Sequence, residues 1–162
     1  MSRASSIVQS CPRKSSSYTR KLKIALVALP YLEGPQKIMP LGLQNISAYV
    51  KKNTKQIKEI KIFDYSDHEY SNTEQLEDLT RWKPDLVGVS VYSSHVTAAI
   101  HWGKLIKESL PGSFIFCGGP HISLAAEDFL IRGKSIYDIA IQGEGEYSTA
   151  ILVDHFKNLK TF

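Results

Sequence analysis

Five apolar runs, each followed by a stretch with helical periodicity, recur along the chain and leave few ways for it to fold. "KIALVALP" is a nearly continuous apolar run that predicts a first strand over about 23–29, covered on both faces. "MPLGLQNISAYVKK" follows as a helix that Pro40 can open, with Leu43, Ile46 and Val50 on its inner face. "IKEIKIFD" predicts strand two, ending at Asp64; Ile60 and Ile62 alternate with Lys61, the pattern of a sheet edge. "TEQLEDLTRW" spaces Leu76, Leu79 and Trp82 by threes, and "DLVGVSVY" is a strongly apolar third strand. "SHVTAAIHWGKLIKESLPG" predicts the longest helix, with Val96, Ala99, Ile100, Gly103 and Ile106 buried and Pro111-Gly112 as its stop. Gly103 is costly inside a helix, so close helix–sheet packing is its expected reason. "SFIFCGG" predicts strand four, "ISLAAEDFLIRG" a short helix, "YDIAIQG" strand five and "EYSTAILVDHFKNL" the last helix, with Leu152, Val153 and Phe156 inward.

Strands joined by helical crossovers of this length must run parallel, and the connections must be right-handed. The fold class is therefore α/β: a doubly wound three-layer sandwich around a five-stranded parallel sheet. An edge-like strand two and a central strand three give the order 2-1-3-4-5. Such a sheet has a switch point between strands one and three, and ligands collect outside the carboxyl ends of the strands there. Four unusual loops leave from that end: "LPYLEGP", "SVYSS", "CGGPHIS" and "QGEGEY".

The length of 162 residues suits one folded domain, placed at 22–162, with a disordered basic leader at 1–21. The formal net charge is +4, but Arg3, Arg13, Lys14, Arg20 and Lys21 supply five positive charges with no acid among residues 1–21, so the remainder carries −1. A body that nearly neutral offers no broad surface for nucleic acid. No run reaches the roughly 18 apolar residues of a membrane helix. The two cysteines, Cys11 and Cys117, make neither a disulfide framework nor a zinc or iron–sulfur spacing. The expected compartment is reducing, the cytoplasm, with organelle targeting by the acid-free leader as the alternative.

The loops exclude several ligand classes. A dinucleotide fold places G-x-G-x-x-G directly after strand one, where this chain has Leu29-Pro30-Tyr31-Leu32-Glu33-Gly34-Pro35; Asp64 alone is a weak ribose signal. Walker A is absent, and a phospho-receiver would need acids where Pro30 and Ser90 stand. Gly118, Gly119, Gly143 and Gly145 are the sharper feature: they fit either tight turns or backbone left open to a ligand. Ser90, Ser93 and Ser94 could bond a polar ligand or cap the next helix. Glu144 and Glu146 read as structure or partner contact, since Glu146 already suits a helix start. His121 sits where a base or ligand could act. His68 reads as solvated, and His95, His101 and His155 lie on helices without ligand spacing. Cys117 reads as packed rather than reactive. A preformed crevice with so few chemical groups favours holding a large cofactor over unaided chemistry.

"LPYLEGPQKIMPLGLQNISAYVKK", "IFD", "PDLVGVSVYSS", "FCGGPHIS" and "DIAIQGEGEYS", in that order, resemble the N-terminal cobalamin-binding domain of B12-dependent radical SAM proteins, over about residues 22–157. The resemblance implies a fold of flavodoxin-like, B12-binding type that cradles cobalamin at the carboxyl ends of its strands. It implies a partner as well, a radical SAM barrel domain in cis or in trans, to which the corrinoid is presented. By position, Pro30 and Pro40 match places near the corrin edge, and Ser90 and Ser94 match polar places that meet the nucleotide tail. Gly118, Gly119 and His121 match the strand-four loop; Gly143, Glu144, Gly145 and Glu146 match the strand-five loop beside that tail.

Two departures qualify what is implied. The D-x-H-x-x-G motif, whose histidine ligates cobalt in mutases and methionine synthase, is missing, so no histidine of this chain is expected on the metal. The C-x-x-x-C-x-x-C motif is also missing, which puts any 4Fe-4S cluster and S-adenosylmethionine in a downstream domain. Under this reading the chain alone is not catalytic, and its parent would perform methyl transfer or related radical chemistry. The alternative is a non-catalytic interaction module that keeps the fold without the cofactor, with a crevice closed by Tyr31, Tyr92 and Tyr147.

Overall fold

A computed structural model describes residues 20–30, 39–66 and 73–159. The expectations for the leader, Cys11, Tyr31 with the rest of 31–38, and His68 lie outside them. β1 (Leu22–Ala28) leads into α1 (Leu41–Asn53), β2 (Ile57–Asp64), α2 (Thr73–Trp82) and β3 (Leu86–Ser90). A 3-10 turn (Ser93–His95) precedes α3 (Val96–Ser109); then come β4 (Phe114–Gly118), α4 (Pro120–Arg132), β5 (Ile139–Ala140) and α5 (Gly145–Leu159). The five strands form one sheet in the order β2-β1-β3-β4-β5, every neighbouring pair parallel, as the sequence predicts.

β1 shows why the sheet needs two covers. Ala25 and Val27 enter the core beneath α2, α3 and α4, whereas Ile24 and Leu26 enter the core beneath α1 and α5. All four are essentially inaccessible, as an unalternating apolar strand requires. Two aspartates tie the strands at their starting ends. Asp85, one residue before β3, accepts the Lys23 N–H at 2.9 Å; Asp138, one residue before β5, accepts the Ile115 N–H at 2.7 Å.

The structure corrects four details. The longest described helix is α5, with 15 residues against 14 in α3. The α3 stripe includes the fully buried Trp102, while Ile100 is only partly buried. Gly103 packs on the segment entering β5 rather than on the sheet: a Cβ there would lie 2.6 Å from Ile136 Cγ2 and 2.8 Å from the Tyr137 hydroxyl. Regular β5 is two residues long, and Tyr137, expected in the strand, precedes it and donates its hydroxyl to the Ala99 carbonyl at 2.6 Å.

Candidate functional site

Parallel strands joined by right-handed crossovers bring the starts of α1, α4 and α5 to one end of the sheet. A cavity of about 530 Å³ opens there, between the sheet and the α1–α5 layer. Leu26, Gly88, Phe116 and Ile141 make its apolar floor, and Leu43 and Ile46 of α1 and Thr149 of α5 stand in its walls. The floor depends on Gly88, because a Cβ there would come within 2.4 Å of the Phe116 ring. At the mouth are Met39, Ser66, Ser90, Tyr92, Ser123, Glu144 and Glu146. Neither α1 nor α4 carries an acid in its first turn, so neither helix dipole is offset by a carboxylate of its own at this end.

Eight residues singled out from the sequence line the cavity: Pro40, Ser90, Gly118, Gly119, Gly143, Glu144, Gly145 and Glu146. Pro40 is the N-cap of α1, and Gly145 opens α5, where its lack of a side chain admits Ile46. Gly119 has φ 108°, and a Cβ on it would sit 2.9 Å from the Val91 carbonyl oxygen. Gly143 also has positive φ, 74°, but faces open space. Gly118 is not in the left-handed region; a Cβ there would make only an ordinary 3.5 Å contact with the Ile141 carbonyl oxygen. A turn requiring positive φ is thus the reason for Gly119 and not for Gly118.

Pro30, Ser94 and His121 lie outside the lining. Pro30 is buried just past β1, and Ser94 is exposed on the 3-10 turn. His121 belongs to the first turn of α4, which starts two residues earlier than the sequence predicts because Pro120 takes the favourable first helical position. Its Nδ1 lies 3.3 Å from Ser93 Oγ, and its ring meets Phe129 edge-on at 6.1 Å.

Four polar residues of the lining were not read from the sequence as parts of it. His95 is 2% exposed and meets the Tyr92 ring edge-on at 5.6 Å. Burial pushes its pKa below the ordinary value, which favours a neutral imidazole. Ser66 is held by Asp64, whose Oδ1 accepts its N–H at 3.1 Å and its hydroxyl at 2.6 Å. That carboxylate is therefore engaged locally rather than set for a ribose. Ser123 joins the exits of β4 and β5, since its hydroxyl donates to the Gly119 carbonyl at 3.1 Å and accepts the Gly143 N–H at 3.0 Å. Thr149 is fully buried, and its Oγ1 has no hydrogen-bond partner among the described residues.

Cys117 is packed, as its apolar run implies: it is inaccessible, and burial pushes its thiol up to about 12. Among the described residues no group of three or more His, Cys, Asp and Glu is arranged to hold a metal, and no helix is long and apolar enough to cross a membrane.

Comparison with known proteins places this geometry. Residues 32–153 match the model of the B12 binding domain. An uncharacterized methyltransferase of Pyrococcus horikoshii is 27% identical over 138 residues, which make up 82% of this chain and 29% of that protein. The 2-(S-pantetheinyl)-carbapenam-3-carboxylate methyltransferase of Streptantibioticus cattleyicolor is 33% identical over 63 residues, 39% of this chain and 9% of that enzyme. The chain thus spans less than a third of either relative. Among solved structures, the cobalamin-dependent S-adenosylmethionine radical enzyme OxsB superposes with a TM-score of 0.66 at 22% identity, over 86% of this chain and 19% of that one. A pilus assembly-related protein of Burkholderia pseudomallei shares the fold at a TM-score of 0.55 and 8% identity, over 87% and 96% of the two chains. Likeness at such identities concerns the fold alone, but the family match takes in well over half of the 162 residues, and the chain belongs to the B12-binding domain family.

Proposed function

We propose that this chain is the cobalamin-binding module of a B12-dependent radical SAM enzyme, and that a barrel domain, in cis or in trans, carries the 4Fe-4S cluster and S-adenosylmethionine. The observation that carries the reading is the open cavity at the carboxyl ends of the strands in a chain of this family. Its volume, about 530 Å³, falls in the usual range for small-molecule and cofactor sites. Its chemistry also fits an uncharged aromatic base on a sugar-phosphate tail: apolar Leu26, Leu43, Phe116 and Ile141 below, hydroxyls and helix starts at the mouth. The rival interaction module expects tyrosines closing the crevice, yet Tyr92 is 43% exposed at the mouth of an open space and Tyr147, 65% exposed, lies outside the lining.

Bound cobalamin would supply cobalt for methyl or related group transfer, consistent with the names of the two methyltransferase relatives. The residues of this chain bind and orient it. The backbone at Gly118 and Gly143 leaves room beside the tail, Ser90 offers a hydroxyl, and Ser123 keeps the two glycine-bearing exits in register. No histidine of the chain is assigned to cobalt. His95, in the lining, is the imidazole to test, because His121 lies outside it.

Hydroxocobalamin titrated into the chain and reduced to Co(II) gives the test by EPR. The expected spectrum has no splitting from a protein nitrogen. Nitrogen splitting that persists with an isotope-labelled cofactor base and vanishes in His95→Ala would contradict it.

A further inference from the structure

The end of the sheet away from the cavity carries a second depression, of about 600 Å³, where α1 ends and β2 begins. Lys21, Lys51, Lys55 and Lys58 line it, all exposed; Ile57 and Ile60 are the more buried members, and Glu59 is the one acid in the lining. Lys52 stands nearby in the last turn of α1, and Asp154 of α5 reaches this end by accepting the Thr54 hydroxyl. Elsewhere Arg20, Lys61, Lys104 and Lys107 each face a carboxylate. The four lysines of the depression form no ion pair among the described residues. Two of them have local reasons: Lys51 suits the negative end of the α1 dipole, and Lys58 discourages edge pairing at β2. Neither reason calls for four ammonium groups around one depression, where they repel one another unless an anion lies among them. Residues 22–162 together carry −1, so a basic end stands against an acidic remainder and steers acidic partners toward itself.

The chemistry narrows the kind of anion. Lysine supplies point charges on long stems, without the fork by which arginine grips a phosphate. No aromatic side chain lines the depression for a nucleic-acid base to stack on. α1 turns its carbonyl end here, the wrong pole for a compact phosphate seated against backbone. None of the exposed large hydrophobic side chains of the described residues is in the lining, and a hollow does not fit a lipid plane. Carboxylates spaced along a peptide fit, since each meets a separate ammonium while the peptide covers the isoleucines. We propose that this depression docks an acidic segment of a partner protein, with its carboxylates on Lys21, Lys51, Lys55 and Lys58 and its backbone over Ile57 and Ile60. The site lies at the opposite end of the sheet from the cavity and stands independently of the cobalamin reading.

The test titrates a fluorescent oligoglutamate peptide with the full chain and follows anisotropy. The expected result is saturable binding that weakens as salt rises. Lys51→Gln/Lys55→Gln/Lys58→Gln weakens it by about tenfold, the sum of three exposed ion pairs, with the thermal midpoint unchanged. Arg3→Gln/Arg13→Gln/Lys14→Gln, which removes the same charge from the leader, changes it by less than about twofold. Equal losses in the two triple variants overturn the inference, because net charge alone then holds the peptide. A lysine variant that binds like the wild type overturns it, as does a wild type that does not bind the peptide. Duplex DNA or phosphatidylserine vesicles bound more tightly than the peptide, and lost in the same lysine variant, also overturn it by assigning the surface to a nucleic acid or a membrane.

Discussion

A methyl group on Gly119 would meet the Val91 carbonyl oxygen at 2.9 Å in a backbone with φ 108°, whereas one on Gly118 would meet nothing closer than 3.5 Å. The two glycines of "CGGP" should therefore respond differently to alanine. Gly119→Ala is expected to destabilise the chain by about 1 kcal/mol or more. Gly118→Ala is expected to leave the thermal midpoint nearly unchanged and to weaken cobalamin binding, because its methyl enters the lining; chemical denaturation with parallel titration separates the effects. Equal midpoints for the two variants would contradict this assignment.

His95 adds a pH dependence. Its folded-state pKa is lowered from 6.5 by burial, so below that value the unfolded chain takes up a proton that the folded chain resists. The contribution is fully present above about 6.5, falls as pH drops through it, and levels off once the folded-state pKa is passed. Midpoints recorded between about pH 8 and about pH 5 should fall less steeply in His95→Gln than in the wild type. Identical slopes would show that His95 is not the group responsible.

At the scale of elements, Asp85 and Asp138 perform the same task at two strand starts, and Asp138 holds the weaker strand. It accepts the Ile115 N–H at 2.7 Å and the Lys107 ammonium at 2.8 and 3.0 Å, while β5 itself spans two residues. Asp138→Ala is expected to cost about 1–2 kcal/mol and to speed amide exchange at the β4–β5 junction before that of β1 and β3. Uniform exchange across the sheet would contradict it. The order of the strands was legible because each element declares its period in the chain, and the crossover rule does the rest. The start of α4 was not, because "GGPH" reads as loop until Gly119 is seen to cap the helix and Pro120 to begin it. The burial of His95 was hidden for a related reason: it ends a 3-10 turn, whose three-residue period sets a phase different from that of α3. Ala125, non-helical at φ −143° within α4, has no signal in the sequence, and nothing in the structure explains it.

For the molecule as a whole, topology makes the site. The parallel order opens a crevice at one end, and the glycine-bearing exits fall there without any motif needing to be recognised. This is why eight of the residues singled out from the sequence meet around one cavity. Thr149 escaped because "STAILV" reads as an ordinary core stripe; only the three-dimensional count of hydrogen-bond partners sets its hydroxyl apart. The central claim is that the cavity between the sheet, α1 and α5 holds the nucleotide tail of cobalamin. Its most direct test is the ratio of dissociation constants for cobinamide, which lacks the tail, and cobalamin, measured on the same chain. The account predicts cobalamin binding at least about tenfold tighter, a modest share of what burying an aromatic base contributes. Equal affinities, or no saturable binding of cobalamin, would contradict it.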